Sequence, residues 1–410
     1  MSLDPQEFKR RRQELQKKRA AQLARQRKLM LQILAVAAIL LSCIILIVAV
    51  IVGRKKAEPN PALEQPKEPD LTTIHLAATG DLNVTGMLVD ESGSPLDYEA
   101  VFMDVAHLLA DADVTVTNLE GVVSGEPYGD SRSVPKSMLQ ALSANGVDII
   151  QLANSYSMYK GVYGLATTID NVKGAGMEPV GVFKDQEEFD ATGGFTLCEV
   201  QGIKIAFVSF TKGMDGMSLP KGSESCVNLL YTDYKDTYQN INTEGITKVL
   251  EAVEKESPDI TVALLHWGSK RDDLPSDSQE QIRALMEEGG VDAIIGTHSQ
   301  YVQKMELKDG KFVAYSLGEF VSTEMKAGTE YSVILDLEIT KNNDTGETVV
   351  SNFSYTPIFT VVEEGKPVRI MRIQETMSAY ESGYIEKVSD ETYAQMGYAL
   401  DRIDARIKGE

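Results

Sequence analysis

Cysteine, histidine and tryptophan are scarce in this chain, which has 410 residues but only 3 Cys, 4 His and 1 Trp. The few cysteines exclude a disulfide-stapled miniprotein, and no cysteine or histidine cluster has the spacing of a structural zinc site. Basic residues are also in deficit, with 40 Lys and Arg against 61 Asp and Glu. This acidic balance excludes a general nucleic-acid binder, and the 43% hydrophobic content excludes a disordered protein.

Charge is distributed unevenly along the chain. Residues 1–56 hold 13 Lys and Arg and three acidic residues, a net charge of +10, whereas residues 57–410 carry −31. The basic segment leads into residues 33–52, which are twenty residues without a charged side chain. At about 1.5 Å rise per residue, a helix of this length crosses the hydrocarbon core of a bilayer. Ten basic residues precede the run and three follow it, which predicts a cytoplasmic N terminus.

These patterns predict a single-pass protein of the cell membrane with its main domain outside the cytoplasm. Residues 1–28 are expected to be a basic cytoplasmic segment, 29–53 a transmembrane signal anchor and 54–71 a linker, since prolines stand at 59, 61, 66 and 69. A cleaved secretory signal is the alternative, because it also joins a basic region to an apolar run. The run exceeds the usual length of a signal core, and no clear small-x-small cleavage site precedes Arg54.

Short apolar runs alternate with amphipathic stretches from residue 72 to residue 375, which predicts one α/β domain. The predicted strands are Ile74–Thr79, Val114–Asn118, Asp148–Ala153, Glu178–Val182, Lys204–Phe210, Ile260–His266, Ala293–Thr297 and Val313–Leu317. The predicted helices are Tyr98–Ala112, Lys136–Asn145, Tyr163–Ala175, Glu244–Glu256 and Ser278–Glu288, the last capped by Asp277. Hairpins are expected from Tyr331, and residues 376–410 read as a helical tail.

Polar residues follow several of the predicted strands, and loops at the carboxyl ends of strands converge in α/β sheets. The residues with chemistry to offer are Asp81, Glu120, Asn154, His266 and His298. Carboxylate, amide and imidazole donors of this kind suit a two-metal hydrolase. Each residue alone also has a simpler explanation, because an Asp after a strand often forms a turn and a single His is often structural.

Five segments carry a resemblance to a known family. They are LAATGDLNVTG, VTVTNLEGVVS, the stretch from DIIQLANSYSMYKG to EPVG, the stretch from TVALLHWGSK to GTHSQYVQ, and VAYSLGEFV. In this order they resemble the CapA family of bacterial capsule and poly-γ-glutamate synthesis proteins, which is similar to the calcineurin-like metallophosphatases. The resemblance implies a metallophosphatase-like sandwich of β-sheets flanked by helices. It also implies a surface protein that acts beside a membrane-bound polymer synthase.

This chain keeps only part of the family's site pattern. The residues that match are Asp81, Asn118, Glu120, Asn154, His266 and His298. The departures are Ser155, Tyr156 and Tyr159 in place of Asn, His and Asp, Lys270 in place of an acid, Gln300 in place of His, and Glu319 in place of Asn. Two imidazoles and two carboxylates are thereby lost, so a complete two-metal centre is not expected. The expectation is therefore no cofactor, or alternatively one Zn, Mn or Fe ion, for which the candidate ligands are Asp81, Glu120, Asn154, His266 and His298.

Two further hypotheses concern the pocket. Lys270 is basic where the family has an acid, and Glu319 is acidic where the family has a neutral residue. An ion pair between them is therefore expected if both line one pocket. The alternative is that each side chain reaches solvent separately. Tyr156, Tyr159 and Trp267, with Tyr163, form an aromatic wall for a sugar or peptide chain, or else pack in the core. Whether Cys198 and Cys226 pair is left open by the sequence.

The functional expectation is a membrane-anchored, extracytoplasmic CapA-like protein in capsule, poly-γ-glutamate or related surface-polymer synthesis or export. A binding or scaffolding pseudo-metallophosphatase is the leading interpretation, with the membrane, a surface polymer and synthase subunits as partners and no nucleic acid. The first alternative is an active phosphoesterase or amidase with a reduced metal site, in which His266, His298 and Asn154 are catalytic. The second is a cell-wall interaction module without a role in capsule.

Overall fold

A computed structural model describes residues 68–83, 97–128, 132–322, 326–363, 366–384 and 388–410. The expected cytoplasmic segment, the expected transmembrane anchor and most of the expected linker lie outside these residues. Within the described part of the chain, no helix is both long and apolar enough to cross a membrane.

Fourteen strands occur in the described residues. They are β1 Leu71–Asn83, β2 Val114–Glu120, β3 Ile149–Gln151, β4 Glu178–Val180, β5 Thr196–Val200, β6 Ile203–Thr211, β7 Ile260–His266, β8 Ala293–Thr297, β9 Met305–Lys308, β10 Lys311–Ala314, β11 Glu319–Val321, β12 Tyr331–Asn342, β13 Thr348–Val361 and β14 Arg369–Arg372. The helices are α1 Tyr98–Phe102, α2 Ala106–Ala110, α3 Lys136–Ala144, α4 Gly161–Gly174, α5 Gln186–Thr192, α6 Thr243–Glu256, α7 Asp277–Glu288, α8 Ile373–Glu381 and α9 Asp390–Lys408.

The strands form two sheets. The eight-stranded sheet has the order β14-β13-β12-β1-β2-β3-β4, and β11 also pairs with β1. Its segment from β1 to β4 is parallel, and β12 joins β1 antiparallel. The six-stranded sheet has the order β5-β6-β7-β8-β10-β9, in which β6, β7, β8 and β10 are parallel. Parallel strands bring their carboxyl ends to the same edge of a sheet, which is where the site forms.

Apolar side chains divide into three clusters that define the layers. Alternate residues of β1, such as Ile74 and Leu76, meet Ile205 and Val262 of the second sheet in a core between the sheets. A second cluster lies under α1 to α4 on the outer face of the first sheet, and a third lies under α6 and α7 on the outer face of the second. The predicted α/β architecture of sheets flanked by helices is thus confirmed.

Local details differ from the sequence predictions. The helix predicted over Tyr98–Ala112 is two short helices, because the chain turns at residues 103–105. Helix α5 and strand β5 lie in a stretch that the predictions left unassigned. The cap of α7 is Ser276, whose hydroxyl accepts from the N–H of Gln279 in a capping box, so the prediction of Asp277 as the cap was wrong.

The C-terminal helix α9 packs on the core between the sheets through Met396, Ala399 and Ile403. Its last turn carries Arg406, which is buried. Arg406 Nε donates to Asp273 Oδ1 over 2.6 Å, and its Nη1 donates to the hydroxyl of Tyr331 over 3.1 Å. The helix is therefore tied to the loop that follows β7, which is a loop of the site.

Candidate metal centre

Strand ends from both sheets bring the predicted site residues together. Asp81 lies near the end of β1, Glu120 ends β2, His266 ends β7 and His298 follows β8. All four side chains are buried. Asn154, which follows β3, is buried beside them. The expectation that polar strand ends converge is therefore met for these five residues.

Gly80 allows the two strands that carry Asp81 and Glu319 to approach closely. A Cβ atom at Gly80 would lie 1.9 Å from the carbonyl oxygen of Gly318, which no side chain tolerates. The backbone N–H of Asp81 donates to the same carbonyl over 3.0 Å. Glycine is thus required here, and it fixes Asp81 and Glu319 as neighbours in the register of β1 and β11.

His266 has polar neighbours on both ring nitrogens. Its Nε2 lies 3.2 Å from Glu120 Oε1 and 3.0 Å from the hydroxyl oxygen of Ser155. Its Nδ1 lies 3.1 Å from the hydroxyl oxygen of Thr297 and 3.9 Å from Asp81 Oδ1. The ring packs edge-to-face against His298, with centroids 4.5 Å apart. His266 is therefore held at the centre of the site from several sides.

Glu120, His266 and His298 form a group that can hold one metal ion. Each offers one ligand atom, and the three atoms lie within 4.8 Å of one another. The Nδ1 atom of His298 is buried and has no hydrogen-bond partner, although buried nitrogen atoms normally have one. One carboxylate and two imidazoles are the donors that Zn²⁺, Mn²⁺ and Fe²⁺ accept. The residues present therefore fit one divalent transition metal.

Asp81 and Asn154, which the sequence also predicts as metal ligands, lie beside this group and are held by hydrogen bonds. Asp81 Oδ2 accepts from the backbone N–H of His298 over 2.8 Å, and Asp81 Oδ1 accepts from the amide of Asn118. The Nδ2 of Asn154 donates to Asn118 Oδ1 over 3.0 Å and to the carbonyl of Leu119 over 2.7 Å. A chain of amides thus orients Asp81, which in turn positions the backbone of His298.

The loop after β8 holds a backbone conformation that favours glycine at two positions. His298 has φ of +87° and Gln300 has φ of +65°. Residues other than glycine are uncommon there, and such conformations concentrate at functional sites. The hydrogen bond from the His298 N–H to Asp81 stabilises this turn, which aims both side chains into the site.

Burial shifts the pKa values of the carboxyl groups and imidazoles at the centre. It raises the pKa of Asp81 to about 6 and the pKa of Glu120 well above its usual value, with the Asp81 carboxylate raising the latter further. Burial also lowers the pKa of His266 and of His298 well below the usual value, and the positive charge of Lys270 adds to both shifts. Both imidazoles are consequently neutral at neutral pH, as a metal ligand must be.

The ion pair expected between Lys270 and Glu319 is not formed. Lys270 is exposed, whereas Glu319 is buried and accepts from the side-chain amides of Gln300 and Asn83 over 2.7 and 3.4 Å. Among the residues that the structure describes, no ion pair joins the two. The loop carrying Lys270 is fixed instead by the N–H of Arg271, which donates to the carbonyl of Ser299 over 2.7 Å.

The expected aromatic wall is not continuous. Trp267 is fully buried in the core outside the second sheet, where its indole N–H donates to the carbonyl of Tyr315 over 2.9 Å. Tyr156 is buried with the Arg132 guanidinium 4.2 Å from its ring centroid. Tyr159 is half-buried and Tyr163 is exposed. Trp267 in particular cannot reach a polymer chain in this arrangement.

Cys198 and Cys226, the two cysteines of the described residues, are free and lie in different places. Cys198 is on β5 beside the core between the sheets, and Cys226 is buried in the cluster outside the first sheet. The sequence left their pairing open, and the fold leaves them unpaired.

Comparison with known proteins places the chain in a family. Residues 75–324, more than half of the chain, match the family model described as bacterial capsule synthesis protein PGA_cap. The chain belongs to this family. The CapA resemblance read from the five sequence segments is thereby confirmed, and the site lies within the matched residues of this PGA_cap member.

Two curated relatives carry related names. The capsule biosynthesis protein CapA of Bacillus anthracis is 23% identical over 280 residues, which cover 66% of this chain and 64% of that protein. The PGA biosynthesis protein CapA of Bacillus subtilis is 24% identical over 304 residues, which cover 72% of this chain and 74% of that protein. The matched part thus spans slightly less than two thirds of the length of the B. anthracis relative.

Solved structures with a distant likeness include a phosphatase and a phosphoesterase. A phosphatase from Mycoplasma pneumoniae has 14% identity and a TM-score of 0.44, covering 71% of this chain and 95% of that one. A calcineurin-like phosphoesterase from Bacillus subtilis has 14% identity and a TM-score of 0.39, covering 81% and 100%.

Sequence reasoning missed several residues of this PGA_cap site. Ser155 was noted only as a departure, yet it contacts His266, and Thr297 was only the end of a strand. Lys212 follows β6 and is half-buried, and its ammonium donates to the carbonyl of Gly268 over 2.5 Å. The signal for Lys212 was available, because it lies two residues after the predicted strand Lys204–Phe210.

Proposed function

We propose that this PGA_cap member is an accessory protein in the synthesis or export of a capsule or related surface polymer. In this proposal the Glu120–His266–His298 group binds one cation and, through it, an anionic polymer such as poly-γ-glutamate or an acidic polysaccharide. The observation that carries the proposal is this buried three-ligand group, which lies at the joint edge of two sheets within the residues that match the family.

Charge limits where a polyanion can touch the domain. Residues 57–410 carry a net charge of −31, so the general surface repels an anionic chain. The site differs from that surface because Lys212 and Lys270 bring positive charge to it, and both act on the pKa of His298. A carboxylate or phosphate of the polymer is therefore attracted to the site and to few other places.

Neighbouring residues would orient the side chains that hold the cation at such a site. Ser155 and Thr297 orient the imidazole of His266, and Asp81 fixes the backbone of His298. Lys270 is exposed and can meet an arriving anion. A bound divalent ion would supply a Lewis acid that attracts carboxylate oxygens. Binding, rather than turnover, is what this reduced ligand set supports best.

We also propose that residues 29–53 anchor the protein in the cell membrane, with the main domain outside the cytoplasm beside the subunits of a polymer synthase. The support is the uncharged run of residues 33–52 and its basic flanks. The proposed topology places the acidic domain where a secreted polymer emerges.

An active hydrolase is the second candidate. The observation that favours it is Glu120, a buried carboxyl group with a raised pKa beside His266. Burial that raises the pKa of a carboxyl group favours its protonated form, which is the form a general acid needs. A phosphoesterase or amidase activity that requires metal would support this candidate. A cell-wall module without a polymer role has no site observation in its favour.

Polymer binding by the full-length chain in detergent micelles tests the main proposal. Metal-loaded protein is expected to retain fluorescent poly-γ-glutamate, and EDTA or Glu120→Gln is expected to weaken this binding at least about tenfold. His75→Ala removes an exposed histidine outside the site and serves as the matched control. Binding that is equal with and without metal, or equal in Glu120→Gln, would overturn the role of the site.

A further inference from the structure

Arg406, in the last turn of α9, is a buried charged side chain with partners on three separate segments. Its Nε donates to Asp273 Oδ1 over 2.6 Å, and its Nη1 donates to the hydroxyl of Tyr331 over 3.1 Å. Its guanidinium carbon lies 3.9 Å from the centroid of the Tyr301 ring, where the aromatic face attracts a cation. Burying a charge is unfavourable unless the charge is paired, so the place of Arg406 depends on these partners.

Two of the three partners belong to loops that carry the candidate metal centre. Residues 267–276 follow β7 and are called the His266 loop, and this loop holds Asp273. Residues 298–304 follow β8 and are called the His298 loop, and this loop holds Tyr301. Tyr331 lies on β12 of the first sheet. Arg406 is therefore anchored on β12 and contacts both loops.

The His298 loop is the strained one of the two. His298 has φ of +87° and Gln300 has φ of +65°, and such conformations persist only where surrounding contacts fix them. The next residue is Tyr301, whose carbonyl accepts from the hydroxyl of Ser299 over 2.7 Å and whose ring packs against Arg406. Contact with Arg406 therefore restrains the segment that aims His298 into the site.

Direct hydrogen bonds also join the two loops. The backbone N–H of Arg271 donates to the carbonyl of Ser299 over 2.7 Å. The Nε2 of Gln303 donates to the carbonyls of Asp272 and Leu274 over 2.9 and 3.1 Å. A displacement of one loop is therefore passed to the other.

We infer that Arg406 is a positioning residue for the candidate metal centre: through Asp273 and Tyr301 it holds the His266 loop and the His298 loop in the relation that lets one metal ion bind. Helix α9 lies beyond residues 75–324, which match the family model, so this role belongs to the C-terminal part of the chain. The inference rests on the proposed metal group, and thermodynamic linkage makes it reciprocal. If the docked helix favours metal binding, bound metal favours the docked helix by the same factor.

The rival explanation is that the two loops hold themselves through their direct hydrogen bonds, and that Arg406 only anchors α9. The two explanations differ in how metal affinity responds to weaker packing of the helix. Anchoring alone predicts the same effect from any variant that loosens α9 equally. Positioning predicts an effect only where the contacts of Arg406 with the loops are lost.

The experiment measures Zn²⁺ affinity of the full-length chain in detergent micelles by competition with a fluorescent chelator. The visible spectrum of the Co²⁺-loaded protein is recorded beside it, because it reports how the ligands are arranged. Arg406→Met is expected to weaken Zn²⁺ binding about three- to tenfold and to change the Co²⁺ spectrum, a smaller effect than removing a direct partner of a ligand.

Met396→Ala is the matched control, because it leaves a cavity under the same helix in the core between the sheets. It is expected to lower the midpoint of urea unfolding while leaving Zn²⁺ affinity and the Co²⁺ spectrum unchanged. Asp273→Ala changes an exposed residue and provides a second variant in case Arg406→Met does not fold. It is expected to weaken Zn²⁺ binding in the same direction as Arg406→Met.

Hydrogen–deuterium exchange tests the positioning role without metal and its reciprocal with metal. In chelator-treated protein, amide exchange across residues 298–304 is expected to be faster in Arg406→Met than in the wild type or Met396→Ala. In the wild type, Zn²⁺ is expected to slow exchange across residues 390–408, and this slowing should be lost in Arg406→Met. A wild type that binds no metal would refute the proposed function, while the exchange of the metal-free loops would still decide the positioning role.

Two results would overturn the inference. The first is that Arg406→Met and Asp273→Ala bind Zn²⁺ as the wild type does and leave exchange of the His298 loop unchanged. The second is that Met396→Ala weakens Zn²⁺ binding as much as Arg406→Met, which would show that α9 acts on the site only through the overall stability of the fold.

Discussion

The backbone N–H of His298 donates to Asp81 Oδ2 over 2.8 Å, so a carboxylate from the first sheet fixes a histidine carried by the second. This bond crosses between sheets whose strands are far apart in sequence. It explains how His298 keeps φ of +87° in a buried loop. The site therefore depends on how the two sheets are joined, and not only on which residues end the strands.

The close approach at Gly80 is the first feature that can be tested by mutation. Gly80→Ala is expected to lower the free energy of unfolding by about 3 kcal/mol, because its Cβ would collide with the Gly318 carbonyl. The matched control is Gly174→Ala, in α4, where no atom lies within 4 Å of the added Cβ. Urea unfolding should find the control unchanged or slightly stabilised. Equal stability of Gly80→Ala and the wild type would contradict the register of β1 and β11.

Lys270 should weaken metal binding through its charge. It lowers the pKa of both site histidines, which means that its positive charge acts on the ligand atoms. Lys270→Gln is expected to tighten Zn²⁺ binding by about three- to tenfold at low ionic strength, with a smaller effect in high salt. Lys308→Gln, an exposed change on β9, serves as the control. Competition with a fluorescent chelator measures both, and unchanged affinity in Lys270→Gln would refute the electrostatic argument.

The C-terminal helix is expected to stabilise the loop that follows β7. Arg406→Met leaves Tyr331 and Asp273 without their buried partner and should lower the free energy of unfolding by about 3 kcal/mol. Arg402 also contacts Asp273, over 3.1 Å, but it is more exposed. Arg402→Ala is therefore expected to cost less than about 1 kcal/mol. Chemical unfolding that ranks the two variants the other way round would show that burial of Arg406 does not stabilise the helix.

Glu319 should make the stability of the metal-free protein depend on pH. Burial raises its pKa from 4.5 to about 7, so between these values the folded state holds a proton that the unfolded state releases. Its contribution to stability is therefore present at low pH and is lost as pH rises through about 7. Relative to Glu319→Gln, the chelator-treated wild type should gain about 3 kcal/mol between pH 8 and pH 4.5. A difference that does not vary with pH would contradict the burial of a titrating carboxyl group.

Much of the fold was readable from the sequence because strand and helix periods are strong local signals. The eight predicted strands all overlap observed ones, and Asp81, Glu120, His266 and His298 do converge as their positions after strands indicate. The short elements α5 and β5 escaped because Gln186–Thr192 is too short to develop a clear apolar period. The break between α1 and α2 was not predicted because residues 103–105 contain no proline or glycine.

The partners of individual side chains were harder to predict, because they depend on contacts between distant segments. Lys270 and Glu319 were expected to pair because their charges are opposite. Glu319 is instead buried on β11, where its carboxylate accepts a hydrogen bond from Gln300. Trp267 follows His266 directly, yet strand alternation turns it to the opposite face and into the core. Neighbours in sequence at the end of a strand thus reach opposite sides of the sheet.

Elemental metal analysis of the full-length chain, purified without a chelator or a metal-binding tag, shows whether the site holds an ion. We expect about one equivalent of Zn, Mn or Fe in the wild type, lost in His298→Ala and retained in His75→Ala. The three ligand atoms of Glu120, His266 and His298 lie close enough to share one ion, which is why removal of one should release it. A folded wild-type protein that contains no metal, and takes up none when Zn²⁺, Mn²⁺ or Fe²⁺ is added, would show that Glu120, His266 and His298 are not a metal site.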